Sequence, residues 1–403
     1  MYDVRKIQED LFWIGASDRR LPLFENLFPI PHGVAYNSYI LLDEKVVVFD
    51  SVDRSVAERF FENITHLLQD RPVDYLVINH IEPDHCGTVM DILNRYPNVK
   101  IVCTAKATAM IKQYFDYDFA KSDSFLVVKE GDTLSTGKHE LTFVAAPMVH
   151  WPEVMVTYDK TTKTLFSADA FGSFNALSGA IFADMYDFEH DFLDDARRYY
   201  CNIVGKFGPQ VQALLKKASA LEIEYICPLH GPVWRENIDW LIDKYDKWSS
   251  YKAEEIGLVI PYGSIYGNTE NVVEILASKL ADLGITKVKL MDVSLYHPSY
   301  IVAEIFKYSH IVFASPTYNM GLFLNMNTLL HDLQNVNIQN RTVALIENGA
   351  WAISSGKHMT EMIASMKNMT MLESKVTINA TLREEQLENL DMLAKEIASS
   401  MEI

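Results

Sequence analysis

The hydrophobic periodicity of the chain changes near residue 250, and this constrains the fold more than any other feature. From 'Glu254-Glu255' onward, short apolar runs alternate regularly with helix-length stretches. The runs fall at 256–262, 287–293, 310–315, 341–346 and 374–379, and a last helix is predicted near 382–401. Five strands alternating with helices predict a doubly wound parallel sheet. Residues 1–250 follow a different pattern. 'Asn37-Ser-Tyr-Ile-Leu-Leu42' and 'Lys45-Val-Val-Val-Phe-Asp50' predict a hairpin, followed by a helix over 55–69. A second hairpin is predicted from Val154 to Phe166, then a helical stretch over 193–220. Hairpins in both halves, flanked by helices, predict an αββα sandwich. The polar stretch between 'Ile242-Asp-Lys-Tyr-Asp-Lys-Trp248' and Glu254 separates the two patterns, so domains over 1–250 and 254–403 are expected.

The first half carries seven potential metal ligands. 'His80-Ile-Glu82-Pro-Asp84-His85' follows 'Asp74-Tyr-Leu-Val-Ile-Asn79', which predicts a buried strand. In an extended segment His80, Glu82 and Asp84 would leave one side, with His85 adjacent. His150 follows 'Leu141-Thr-Phe-Val-Ala-Ala-Pro147', Asp169 follows 'Thr164-Leu-Phe-Ser-Ala168', and His230 follows 'Tyr225-Ile-Cys-Pro-Leu229'. Each candidate thus falls at the end of a strand-like run. A lone histidine there is ordinarily a hydrogen-bonded loop residue. Two imidazoles and two carboxylates within six residues, however, make a poor core and an unusual turn. Seven ligands exceed one ordinary site, so two metals are implied. The set is wholly nitrogen and oxygen, which disfavours structural zinc and leaves catalytic zinc, iron and manganese open.

A second site is expected where 'Ile256-Gly-Leu-Val-Ile260' runs into Ser264, Ile265, Tyr266, Gly267, Asn268 and Thr269 and then a helix. Backbone N–H groups and the helix dipole would meet a phosphate there, with hydroxyls adding donors. An ordinary helix start capped by Asn268 or Thr269 fits the same residues. Two further loops favour a ligand. One carries Pro316, Thr317, Tyr318 and Asn319 after the third strand; the other carries Asn348, Gly349, Ala350 and Trp351 after the fourth. Both lie at strand carboxyl ends and bring an aromatic ring near polar backbone, as an isoalloxazine requires. The first loop lacks the terminal lysine of a nucleoside-triphosphate loop, and no G-x-G-x-x-G fingerprint occurs, so neither of those nucleotide sites is indicated.

Composition excludes several alternatives. The 403 residues are 49% hydrophobic and 22% charged, ordinary for a globular chain with a sizeable core. With 36 basic against 54 acidic residues the formal charge is -18, which disfavours nucleic-acid and anionic-membrane partners. No apolar run approaches a membrane span, and the N-terminus lacks an apolar signal-like core. Four scattered cysteines without a C-x-x-C pair fit a reducing cytoplasm, with Cys86 a small packing residue beside His85.

The pattern H-x-E-x-D-H, continued by His150, Asp169 and His230, resembles the metallo-β-lactamase-like domain of flavodiiron proteins. The hydrolase branch of that superfamily usually carries H-x-H-x-D-H, with histidine where this chain has Glu82. The C-terminal half resembles flavodoxin, whose phosphate loop normally reads T-x-T-G-x-T; here Ser264 and Tyr266 replace two threonines. Together the resemblances span essentially the whole chain. They imply an iron held by His80, Glu82 and His150, a second held by Asp84, His85 and His230, and Asp169 bridging. They also imply FMN, reduction of dioxygen to water or nitric oxide to nitrous oxide, an external donor such as rubredoxin, and a head-to-tail homodimer. Tyr199 is the candidate phenol beside the irons, with Tyr200 as the alternative. Many relatives carry a histidine in the N-terminal loop over the iron site. Here Glu25 and Asn26 fall near that position, and His32 follows in the same segment. A zinc hydrolase is disfavoured by Glu82, and a non-enzymatic electron carrier would leave seven ligands idle.

Overall fold

Four consecutive buried residues in the strand Val46–Phe49 require cover on both faces of its sheet, and two layers supply it. The computed structural model describes residues 1–116 and 124–401. Val46–Phe49 pairs antiparallel with Tyr39–Leu42 and parallel with Tyr75–Val77, inside a seven-stranded sheet. A second sheet of five strands runs from Thr133–Ser135 to Tyr225–Cys227. Val47, Phe49, Val77 and Val102 of the first sheet share one core with Phe143, Met155 and Phe166 of the second. The Phe49 and Phe166 rings stack with centroids 3.7 Å apart, which marks where the sheets meet. The predicted helix over 55–69 forms as Ala57–Leu68, burying Phe60, Phe61, Ile64 and Leu68 along one stripe. This is the expected sandwich.

Two local expectations need correction. The stretch over 193–220 is not one helix. Leu193–Tyr199 passes into a π-helical segment, Tyr200–Val204, then a single 3-10 turn, before Gly208–Ala218 resumes as α-helix. The β-branched pair Ile203 and Val204, followed by Gly205, is poor material for an unbroken α-helix. Nor is 80–85 extended throughout. Pro83–Cys86 forms one helical turn with Pro83 in the first position, which suits its fixed φ, so Asp84 no longer shares a side with His80 and Glu82.

By contacts the chain divides into Met1–Tyr200 with Pro209–Tyr245, and Cys201–Gly208 with Asp246–Ile403. The second unit holds an all-parallel main sheet in the order Val288–Asp292, Glu255–Tyr262, Tyr308–Tyr318, Thr342–Gly349, Thr370–Asn379. This is the 2-1-3-4-5 order of flavodoxin-like sheets. Two strands overrun their predicted ends. Tyr308–Tyr318 continues because Thr317 and Tyr318 pair back with Leu322 and Gly321, and Thr342–Gly349 stays paired through Asn379. Pro316, Thr317, Tyr318, Asn348 and Gly349 therefore sit on strand tips, not in loops. No helix among the described residues is long and apolar enough to cross a membrane.

Candidate metal centre and flavin loops

All seven predicted ligands meet in the first unit, and they meet as two groups. His80, Glu82, His150 and Asp169 form one; Asp84, His85 and His230 form the other. In the first group His80 Nε2 lies 3.2 Å from Glu82 Oε2 and 3.3 Å from Asp169 Oδ2. His150 Nε2 lies 3.0 Å and 3.2 Å from the same two oxygens. In the second, His85 Nε2 is 3.2 Å from Asp84 Oδ2 and 3.0 Å from His230 Nε2. Asp169 Oδ1 faces this group, 3.2 Å from His85 Nε2 and 3.7 Å from His230 Nε2. Two donors about 2.1 Å from one ion stand about 3.0 Å apart at a right angle and about 3.4 Å apart at a tetrahedral angle. All of these spacings but the 3.7 Å one fall within that range.

Hydrogen bonding gives an independent test of fit. Both Asp84 oxygens, Asp169 Oδ1 and His150 Nε2 are buried without a hydrogen bond among the described residues. Orphaned buried polar atoms are costly unless something else satisfies them, and here their lone pairs converge. Two of the ring nitrogens turned away from the site are engaged, while His85 Nδ1 is buried without a partner among the described residues. His80 Nδ1 lies 2.8 Å from Glu153 Oε1, and His230 Nδ1 lies 2.8 Å from the Ala35 carbonyl. Such partners fix the tautomer and turn Nε2 toward the site. The residues present fit a pair of hard or borderline cations.

Electrostatics agree with the geometry. Burial alone would depress the imidazoles, yet Asp169 and Glu82 raise His150 to about 9, and with Glu153 they hold His80 well above its ordinary range. Burial disfavours the Asp169 carboxylate, but the surrounding histidines hold it well below the usual range. In the absence of cations these protons neutralise a charge excess that bound metal would otherwise meet.

The backbone delivering these groups is unusual. Ala168 (φ 51°) immediately precedes Asp169, Met148 (φ 66°) lies two residues before His150, and Gly231 (φ 73°) follows His230. Left-handed conformations cluster where a chain must aim functional groups. Asp50 (φ 53°) accepts from Asn79 N at 2.8 Å, Asn79 Nδ2 at 2.8 Å and His80 N at 3.1 Å, pinning the segment that presents His80. Sequence reasoning passed over Asp50 and Glu153. Asp50 carried the same signal as the ligands, an acidic residue closing an apolar run; Glu153 carried none beyond its nearness to His150.

Tyr199 and Tyr200 separate clearly. The Tyr199 ring lies 5.4 Å from His230 between centroids, and its buried hydroxyl makes no hydrogen bond among the described residues. Tyr200 instead packs against Tyr245. Glu25 and Asn26 occupy a hairpin tip whose Phe24 ring meets His230 edge-on at 5.3 Å. The Glu25 carboxyl is pushed up to about 8, by desolvation first and then by the neighbouring Glu82 charge. His32 is 3.9 Å from Asp195 and lies outside both ligand groups.

In the second unit Gly267 (φ 86°) is the N-cap of the helix Asn268–Asp282, in place of the expected Asn268 or Thr269. A left-handed residue here suits glycine. Ser264 Oγ accepts from Gly267 N at 3.1 Å and Glu270 N at 3.3 Å, which leaves its own hydroxyl proton available to an anion. Asn348 Nδ2 donates to Thr269 Oγ1 at 3.2 Å, while Asn348 Oδ1 is buried without a partner among the described residues. Thr317 Oγ1 accepts from the Ser354 and Ser355 amides, and Asn319 (φ 49°) forms the turn beyond Tyr318. Around this loop set Tyr266 is 91% exposed and Trp351 79%, with Ile265 and Tyr318 also exposed and Ala350 beside Trp351. An anion site at a helix N-terminus, rimmed by open aromatic faces, fits FMN.

Comparison with known proteins places both halves. Residues 34–231 match the family model described as ODP family beta lactamase, and residues 260–361 match that of flavodoxin. The chain is 30% identical to rubredoxin-oxygen oxidoreductase of Megalodesulfovibrio gigas, with 98% of each chain covered. It is 29% identical to the nitric oxide reductase of Moorella thermoacetica, again over 98% of each. The crystal structure of the flavodiiron protein from Giardia intestinalis superposes with a TM-score of 0.91 at 27% identity, covering 99% of this chain and 98% of that one.

Proposed function

The chain belongs to the flavodiiron protein family, and from that premise we propose that it reduces dioxygen to water, nitric oxide to nitrous oxide, or both. Two non-haem irons bound in the first unit would polarise and align the diatomic substrate, and FMN bound in the second would supply electrons. One observation carries the metal reading: Asp169 turns one carboxylate oxygen toward each ligand group. We assign His80, Glu82 and His150 to one ion, Asp84, His85 and His230 to the other, and Asp169 to both. Glu82 supplies a hard oxygen where a hydrolase would supply nitrogen, which favours iron over zinc.

The chain's own groups prepare the site. Glu153 and the Ala35 carbonyl orient two rings, and Asp50 fixes the backbone at Asn79 and His80. Tyr199 presents a buried O–H with no partner among the described residues, suited to hydrogen-bonding a substrate oxygen beside His230. Ser264, Ile265, Tyr266, Gly267, Asn268 and Thr269 would surround the FMN phosphate; Pro316, Thr317, Tyr318 and Asn319, with Asn348, Gly349, Ala350 and Trp351, would line the ring.

Electrons are expected from a small external donor of the rubredoxin type, after which one relative is named. The exposed Tyr266, Leu295, Met320 and Trp351 follow carboxyl ends of the parallel strands and Tyr318 lies on one, an apolar rim that supports a homodimer covering the flavin. Four buried thiols suit a reducing cytoplasm. The test is direct: iron and FMN are measured per chain, and the loaded protein is then supplied with reduced donor and each gas under anaerobic control. Two irons and one FMN with gas consumption are expected. Zinc as the resident metal, or no consumption of either gas, would refute the reading.

A further inference from the structure

The helix Ser355–Ala364 of the second unit starts without a cap of its own. Its N-cap residue, Ser354, makes no side-chain bond to the amides of the first turn, where a serine ordinarily accepts one. Those amides are satisfied from elsewhere. Thr317 Oγ1 accepts from Ser354 N at 2.9 Å and from Ser355 N at 3.2 Å, and Glu347 Oε2 accepts from Gly356 N at 3.0 Å. Thr317 lies in the strand Tyr308–Tyr318 and Glu347 in its neighbour Thr342–Gly349, so two paired strands cap one helix. A Cβ on Gly356 would stand 2.2 Å from Glu347 Oε2, so the carboxylate fills the space that a side chain would need.

The Ser354 hydroxyl, released from capping, reaches the other segment. Its Oγ donates to the Met320 carbonyl at 2.9 Å, and Ser355 Oγ donates to the Ser315 carbonyl at 2.8 Å. Asn319 and Met320 are left-handed, at φ 49° and 63°, and form the turn that joins Tyr318 to its strand partner Gly321. Such turns favour asparagine, aspartate or glycine at both positions. Asn319 conforms and Met320 does not, and Ser354 holds the carbonyl of the residue that departs. Two ring-bearing segments are thereby tied together. Exposed Tyr318 opens the turn, next to Thr317, and exposed Trp351 lies three residues before Ser354.

Resting on the flavin reading above, we propose that Thr317 and Ser354 are positioning residues that fix Tyr318 and Trp351 relative to one another before the cofactor arrives, so that the slot is already set for a flat isoalloxazine ring. The ring then binds without ordering either segment, a cost that a preformed site removes. The phosphate belongs to the loop 264–269, so the clamp acts on the ring and not on the phosphate.

The test uses the flavin-depleted full chain as parent, Thr317→Val, Thr317→Ser and Ser354→Ala, titrated with riboflavin and with FMN by flavin fluorescence. Valine keeps the shape of threonine and removes the acceptor, whereas serine keeps the acceptor. Ser354→Ala leaves both Thr317 bonds in place and so cuts the link to Met320 without disturbing the helix start. Thr317→Val and Ser354→Ala should each weaken riboflavin at least about fivefold, the scale of ordering one mobile side chain. FMN should weaken by the same factor, so the ratio of the two affinities stays at the parent value. Thr317→Ser should bind both as the parent does. Flavin bound to Thr317→Val should also fluoresce more brightly, because aromatic rings held loosely stack on it less. Parent affinity for riboflavin in Thr317→Val or Ser354→Ala overturns the proposal, as does failure of Thr317→Ser to retain it. A loss confined to FMN overturns it too, since the clamp would then serve the phosphate. A parent that binds neither flavin would strike down the flavin reading itself, and this proposal with it.

Discussion

Asp169 holds the two ligand groups together at the scale of a single side chain, with Oδ2 toward His80 and His150 and Oδ1 toward His85 and His230. Asp169→Ala should therefore deplete iron at both positions, whereas His150→Ala should remove about one ion per chain, as the partition of donors requires. Metal analysis of the purified variants decides; both irons retained in Asp169→Ala would defeat the bridging assignment. Glu153 is a quieter case. It touches no substrate position but accepts at 2.8 Å from His80 Nδ1 and at 3.1 Å from Ile81 N. Glu153→Gln should weaken iron binding by about 10–100-fold, the usual cost of losing an outer partner of a ligating histidine. Chelator competition measures it. The seven candidate ligands could be picked out in the sequence because they close or directly follow apolar runs. Glu153 could not, because its role arises only when the strand Met155–Asp159 is brought beside the turn at Asn79.

At the scale of elements, the second sheet contains a buried pair remote from the metals. His139 Nδ1 lies 2.7 Å from Asp159 Oδ2, joining the start of Glu140–Ala145 to the end of Met155–Asp159. Burial depresses the imidazole, but Asp159, Asp10 and Asp43 together raise it above its ordinary value. Because the folded pKa is raised, the stabilisation is complete below the unfolded value of about 6.5 and is lost as pH rises through the folded one. His139→Gln should cost about 1.5–3 kcal/mol near pH 5.5 and distinctly less at pH 9, as for a hydrogen bond to a charged group. Denaturant unfolding at the two pH values checks the sign; a penalty that grows with pH would contradict it. In the flavin unit Gly267 would meet only Glu270 Oε2, at 4.0 Å, if it gained a Cβ, so its φ of 86° is the sole constraint. Gly267→Val should strain the loop and weaken FMN binding by at least about tenfold, a loss of about 1.4 kcal/mol. Flavin fluorescence titration reads this directly.

The same elements explain what the sequence could and could not reveal. Regular alternation after residue 255 was enough for the parallel sheet, since each strand there is followed by a helix. The break at Tyr200–Val204 and the helical turn at Pro83–Cys86 were not visible. Both are short departures in which a few residues obey packing against neighbours instead of local propensity. For the turn, the proline that marks it also fits a bend in extended chain.

For the whole molecule, the two units have separate cores, one around Phe49 and Phe166 and the other around Val312 and Ile346. The candidate metal ligands lie in the first and the proposed flavin loops in the second, so each cofactor should be removable without unfolding the other's unit. The most direct test of the central claim is gas consumption by Asp169→Ala, first shown to retain its FMN and fold, measured against the parent with the same reduced donor. The parent should consume dioxygen, nitric oxide or both over many turnovers, and the iron-depleted variant should consume neither beyond the slow autoxidation of free flavin. Sustained consumption at the parent rate by a flavin-loaded protein without iron would contradict the account.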